Sequence, residues 1–135
     1  MARDIKFRAW FRPTAKYKAY HVDKYKHELP DLDVRYYTVE DFLDDSWWNT
    51  SDYEEPIIFE QYTGLKDKNG KEIYEGDVVK CWDDENGEVY FCDISLQYRV
   101  KFTDGDDEDL ASCEAEVIGN IHENPELLEG EKDGD

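Results

Sequence analysis

Residues 64–74 read Gly64-Leu65-Lys66-Asp67-Lys68-Asn69-Gly70-Lys71-Glu72-Ile73-Tyr74, which sets Asn-Gly between two short runs of strand-forming residues. Asn and Gly tolerate the positive φ that a tight hairpin turn demands. The grammar repeats downstream. Glu75-Gly76-Asp77 predicts a second turn, residues 78–82 a strand, and Asp83-Asp84-Glu85-Asn86-Gly87 a third turn, again ending in Asn-Gly. Strands are predicted over 88–94, 97–102 and 114–118, with an acidic loop at 104–109. Asn124-Pro125-Glu126-Leu127-Leu128 predicts one helical turn with Pro near its first position. Short strands cut by turn residues predict a mainly β chain built on a small barrel or sandwich.

The first half is less regular. Ile5, Phe7, Ala9 and Phe11 alternate with Lys6, Arg8, Trp10 and Arg12, the period-two pattern of a half-buried strand. Pro13 ends it. Trp10 falls on the polar face between Arg8 and Arg12, where it either stacks on Arg or faces a second core or a subunit interface. Residues 17–22 are aromatic and β-branched, so a β-hairpin with the first strand is expected. A short strand is expected at 34–37. Thr38-Val39-Glu40-Asp41 has the hydroxyl and acids of a helix start. Residues 44–52 form an irregular acidic loop carrying Trp47 and Trp48, and strand character returns at 57–62. The expected organisation is an N-terminal β-hairpin region over 1–56, a barrel region over 57–128 and a polar tail over 129–135.

Charge narrows the choice of partner. The 135 residues carry a net charge of −19. Residues 1–37 hold nine Lys/Arg against five Asp/Glu, a net of +4. Residues 38–135 hold seven against thirty, a net of −23. A field of that sign repels phosphate and argues against direct nucleic-acid binding. Basic proteins, cations, or a second copy meeting head to body are favoured instead. Aromatics at 15% separate the chain from disordered acidic sequences. No apolar run reaches the roughly 18–20 residues of a membrane span, and the N-terminus has no apolar signal region, so a cytoplasmic protein is expected. Cys81, Cys92 and Cys113 are widely spaced without C-x-x-C, which predicts free thiols rather than a disulfide framework or a zinc ribbon.

Three segments carry a resemblance. Ile5-Lys6-Phe7-Arg8-Ala9-Trp10, the stretch Gln61-Tyr62-Thr63-Gly64-Leu65 through Glu75-Gly76-Asp77-Val78-Val79, and Val117-Ile118-Gly119-Asn120-Ile121-His122-Glu123-Asn124-Pro125-Glu126-Leu127-Leu128 together resemble the YopX family. Its proteins are encoded by phages and prophages, mainly of Gram-positive bacteria. The resemblance implies a β-rich fold with an SH3-like barrel in the C-terminal half. It also implies turn roles for Gly64, Gly70 and Gly76, with Asp77-Val78-Val79 opening a barrel strand. It brings no catalytic residues.

The residues themselves add no catalytic signature. Asp104-Gly105-Asp106-Asp107-Glu108-Asp109 is rich in carboxylates, but a calcium loop counted from Asp104 would need Gly at Asp109 and an acid at Ala115. His21, His27 and His122 lack zinc spacing. No serine has a nucleophile-elbow context, and no phosphate-binding loop occurs. No cofactor, metal or catalytic residue is therefore expected. The expected function is a non-enzymatic module acting through protein–protein interaction or homo-oligomerisation. Trp47 and Trp48 are the candidate partner contacts, ringed by Asp44 and Asp45. An acidic mimic of nucleic acid that blocks a DNA-binding protein is the alternative. A divalent-dependent hydrolase using the 104–109 loop ranks behind both.

Overall fold

The computed structural model describes residues 5–38, 40–41, 52–81 and 85–129. It is mainly β. The chain divides into two compact units, with the break between Gln61 and Tyr62.

The N-terminal unit holds β1 (Lys6–Pro13), α1 (Ala15–Tyr25), β2 (Asp33–Thr38) and the first part of β3 (Tyr53–Lys66). The strands pair antiparallel in the order β2-β1-β3, with Phe7 opposite Tyr37 on one side and Gln61 on the other. The pairing of β1 with β3 slips between Trp10 and Arg12, where Trp10 faces Ile58 and Arg12 faces Glu54. Pro56 falls in that interval and has no N–H for the ladder.

The strand over Lys6–Pro13 forms as expected, but its burial differs from the half-buried reading. Ala9 and Phe11 are buried, and so are Arg8 and Trp10 on the other face, while Ile5 is exposed. β1 is the inner strand of the order β2-β1-β3, and near its centre the side chains of both faces are buried.

The hairpin expected between β1 and residues 17–22 does not form. Those residues lie in α1, and the partner of β1 is β2, which encloses the strand expected at 34–37. Thr14 caps the helix by accepting a hydrogen bond from the Tyr17 N–H at 3.1 Å. Lys26 ends it in the left-handed conformation, donating its N–H to the Val22 carbonyl. Tyr17, Tyr20, His21 and Tyr25 recur at helical spacing, and their rings meet along one face. Tyr17 also packs edge-on against Tyr53 of β3, whose ring lies 4.8 Å from that of Phe11. The helix start expected at Thr38 does form its cap: Thr38 Oγ1 accepts from the Asp41 N–H and Asp41 Oδ2 accepts from the Thr38 N–H, each at 3.2 Å.

In the C-terminal unit the end of β3 pairs with β4 (Glu72–Tyr74) around the Asn69-Gly70 turn. The other strands are β5 (Asp77–Lys80), β6 (Asn86–Cys92), β7 (Gln97–Phe102), β8 (Asp107–Asp109) and β9 (Glu116–Asn120). They form one antiparallel sheet in the order β8-β7-β6-β5-β9, curled into a half-barrel. Its core is Ile73, Val79, Val89, Val100, Phe102 and Leu110 with Cys81, Cys113 and Ala115, and Leu65, Tyr98 and Val117 pack against it. Gly70 and Gly76 take φ of +87° and +85° in the expected turns, while Gly64, at +89°, sits in a bulge inside β3. The helical turn at Pro125–Leu128 is a 3-10 turn with Pro at its start.

Of the third expected turn, residues 83–84 lie outside the described residues, and the place of Gly87 is a correction. Gly87 lies within β6, opposite Phe102 of β7 and Val79 of β5. A Cβ there would sit 2.4 Å from Val100 Cγ1 and 2.9 Å from the Lys101 carbonyl oxygen. The Gly of this Asn-Gly pair serves close packing between strands rather than a positive φ. Gly87→Ala is expected to cost about 1–3 kcal/mol through overpacking. A urea midpoint unchanged from wild type would show that β6 and β7 separate without penalty.

Candidate functional site

The described residues offer three surface features with chemical character. The first is the β6–β7 turn over residues 93–96. It follows Cys92, which pairs with Gln97 as the last rung of the ladder. A four-residue turn between antiparallel strands usually reserves its left-handed position for Gly or Asn. Here Leu96 occupies it, with φ +56°. The cost of that conformation for a side chain with a Cβ is about 1–2 kcal/mol. Ile94 and Leu96 are the most exposed large apolar residues described, at 93% and 73%. Phe91, also exposed, stands in T-shaped contact with Tyr98 at 5.1 Å on the adjoining strands. The turn is tied to its base through Cys92, whose thiol pKa is lowered by hydrogen bonding from the Ser95 side chain and then from the Ser95 and Ile94 backbone. The expected strand over 88–94 had absorbed Ile94, and apolar residues at a turn give no turn signal, so sequence reasoning missed this tip.

The second feature is the outer face of α1, none of whose residues is buried. Tyr20 and Tyr25 are half exposed, with Lys24 Nζ 5.6 Å and 5.5 Å from their ring centroids. The Tyr20 hydroxyl beside Lys24 pushes its ammonium pKa up. The left-handed residue Lys26 turns the chain so that the His27 ring meets the His21 ring at 4.6 Å. Their separation of six in sequence gave no hint of that contact.

The third feature is the acidic β7–β8 hairpin. Phe102 N–H donates to the Asp106 carbonyl, Gly105 turns at φ +97°, and Asp104 Oδ1 accepts from the Asp106 N–H. Asp104, Asp106 and Glu108 are exposed. Asp107 instead accepts from the Tyr90 hydroxyl at 2.7 Å and from Arg99 Nε at 2.9 Å. Arg99 first, and Tyr90 second, hold the Asp107 carboxyl below its ordinary pKa. Among the described residues no group of three or more His, Cys, Asp or Glu is placed to hold a metal ion. No described helix is long and apolar enough to cross a membrane. Trp47, Trp48, Asp44 and Asp45, the contacts expected from sequence, lie outside the described residues.

A buried network underlies the N-terminal sheet. Glu60 Oε1 accepts from Arg8 Nε at 2.7 Å and from Trp10 Nε1 at 2.9 Å, and the Arg8 guanidinium lies 5.4 Å from the Trp10 ring centroid. Of the readings open for Trp10 in sequence, the geometry shows the stack on Arg8. Tyr62, Thr63 and Asp67 through Val79 carry the comparable order of the second unit. Thr63 Oγ1 donates to the Ile73 carbonyl, and the Asp77 carboxylate accepts from the Tyr74 N–H.

A family model described as YopX protein matches residues 6–129, from the first residue of β1 to just past the final 3-10 turn. The chain belongs to the YopX family. The crystal structure of protein EF1440 from Enterococcus faecalis is similar at 27% identity, with a TM-score of 0.50, over 94% of this chain and 99% of that one. Among curated proteins none matches significantly. In this YopX chain the three segments that carry the resemblance hold the backbone together: Arg8 and Trp10 in β1, the Asp67 loop with Asp77, and β9 with its 3-10 turn. The exposed tip at Ile94 and Leu96 lies outside all three.

Proposed function

We propose that this YopX protein is a non-enzymatic, phage- or prophage-encoded binding module of the bacterial cytoplasm, acting on a protein partner through the β6–β7 tip. The half-barrel, read as SH3-like, serves as its rigid base. Scattered exposed apolar side chains are ordinary. Two on one four-residue turn, one of them at a left-handed backbone position, are not. Strained positions of this kind cluster at contact sites, because a surface loop free to relax would have accepted Gly or Asn there. That strain at Leu96 is the observation on which the reading rests.

The test is a paired Ile94→Ser and Leu96→Gly variant. Leu96→Gly removes the backbone strain, so the variant should fold at least as well as wild type. Its association, whether with a second copy measured by light scattering or with a partner captured at moderate salt, should weaken by about 2 kcal/mol or more, roughly 30-fold in Kd. Unchanged association in a folded variant would overturn the assignment of the tip.

The acidic-mimic reading retains one favourable observation, the exposed Asp104, Asp106 and Glu108 on a projecting hairpin within a region of net charge −23. It makes the opposite forecast. Binding would fall steeply with salt, DNA would compete, and the Ile94/Leu96 variant would bind normally.

A further inference from the structure

Cys81 and Cys113 are 32 residues apart in sequence and touch in the folded C-terminal unit. The Cys81 S–H donates to Cys113 Sγ across 2.8 Å, and both thiols are free. Cys81 follows the last residue of β5, and Cys113 follows the 3-10 turn Leu110–Ser112 that leads to β9. Cys113 is sealed in the core, whereas Cys81 is slightly open and lines a cavity of about 380 Å³ with Glu85, Phe102, Asp106 and Glu108. One thiol of the pair is therefore reachable by a small molecule, and the other waits behind it. The acids of the cavity wall exclude anionic oxidants such as charged disulfides and leave small neutral ones.

The geometry points to Cys81–Cys113 as an oxidation site that closes to an intramolecular disulfide when the protein meets a small neutral peroxide. In the first step the Cys81 sulfur takes one oxygen from hydrogen peroxide, forming a sulfenic acid and releasing water. In the second, the Cys113 sulfur attacks the Cys81 sulfur, the S–O bond breaks, and a second water leaves with the Cys113 proton. Two thiols and one peroxide give one disulfide and two waters; the peroxide is reduced by the two electrons the sulfurs lose. Hydrogen bonding to Cys113, with burial, pushes the Cys81 thiol pKa above its ordinary range. Cys92, half-buried at the β6–β7 turn, is the internal comparator. It has no thiol partner among the described contacts and a thiol more readily ionised.

The experiment exposes the native chain to graded hydrogen peroxide, quenches with an alkylating agent under denaturing conditions, and reads intact mass and linked peptides. The expected result is a Cys81–Cys113 linked peptide 2 Da lighter than its two reduced halves, formed whether Cys92 is alkylated or itself oxidised. Closing this loop should raise the melting temperature by on the order of 10 °C, reversed by a dithiol reductant. In Cys113→Ala the 2 Da loss should vanish and Cys81 should stop at a single added oxygen. If peroxide that fully oxidises Cys92 leaves Cys81 and Cys113 both alkylatable in the native chain, or links either to Cys92, the inference is overturned. That result needs no variant to fold.

Discussion

Glu60→Ala is expected to destabilise the N-terminal unit by about 3–5 kcal/mol, the usual consequence of removing one partner from a buried ion pair. Arg8, Trp10 and Glu60 are 4%, 3% and 6% exposed, and a single oxygen of Glu60 takes hydrogen bonds from both of the others. The substitution strips the guanidinium of this carboxylate while leaving it inside, and takes the acceptor from the indole N–H. The cost comes from the charge left behind rather than from the strength of the pair. A paired Arg8→Met and Glu60→Met variant, which removes both charges and leaves only the Trp10 N–H without the Glu60 acceptor, should therefore recover most of the loss. Glu60→Gln keeps one oxygen as acceptor and should fall between. Hydrogen exchange of the β1 and β3 amides in rising urea reads the unit directly. A Glu60→Ala cost below about 1 kcal/mol would mean that water reaches Arg8 as it reaches an exposed ion pair, and that the network is not what fixes β1 on β3.

The same network shows where sequence pattern succeeds and where it stops. The alternation over Ile5–Phe11 located β1 and set Arg8 and Trp10 on its polar face, leaving open what Trp10 meets there, because period two reports which residues share a face and not whether that face is covered. Glu60 is fifty residues from Trp10, and no local pattern joins them. The α1 segment failed differently. Tyr17, Tyr20, His21 and Tyr25 suit a strand by propensity, and over six residues period two and period 3.6 are hard to separate. The Thr14 cap, just after Pro13, carried the missing signal, since Thr followed by a helical stack of aromatics is a helix start. Asn69-Gly70 and Asn86-Gly87 are the same dipeptide with opposite outcomes. One needs a positive φ; the other needs the absence of a Cβ under Val100. Composition cannot separate those two reasons for a glycine. Ile94 and Leu96 were invisible as turn residues because turn rules look for polar residues and glycine.

Asp67→Ala should cost the C-terminal unit about 4 kcal/mol, taking three charge-assisted hydrogen bonds at roughly 1.5–3 kcal/mol each and discounting for water that reaches the part-buried donors. Asp67 is buried at the start of the β3–β4 turn. Its Oδ1 accepts from the N–H groups of Asn69 at 2.9 Å and Lys71 at 2.8 Å, and its Oδ2 accepts from the Val117 N–H at 2.9 Å. One side chain thus shapes the Asn69-Gly70 turn and ties it to β9, fifty residues away. Burial pushes the Asp67 carboxyl up, but the N–H groups of Val117, Lys71 and Asn69 outweigh it and hold the pKa below the ordinary carboxylate value. The sign follows from that direction. A depressed pKa means the folded state releases the proton more readily than the unfolded chain. The stabilisation is full above the unfolded value of about 3.9 and is lost as pH falls through it toward the lower folded value. Asp67→Asn separates charge from shape. Its amide oxygen can still serve Asn69 and Lys71, but its NH2 group faces the Val117 N–H, donor against donor, so about half the loss is expected at neutral pH. Urea midpoints of wild type and Asp67→Asn at pH 7 should differ clearly and draw together as pH is lowered below about 4. A gap that stays constant across that range would mean the turn is held by its backbone bonds alone, the Asp67 N–H to the Lys71 carbonyl and the Gly70 N–H to the Asp67 carbonyl, with the carboxylate contributing shape and no charge.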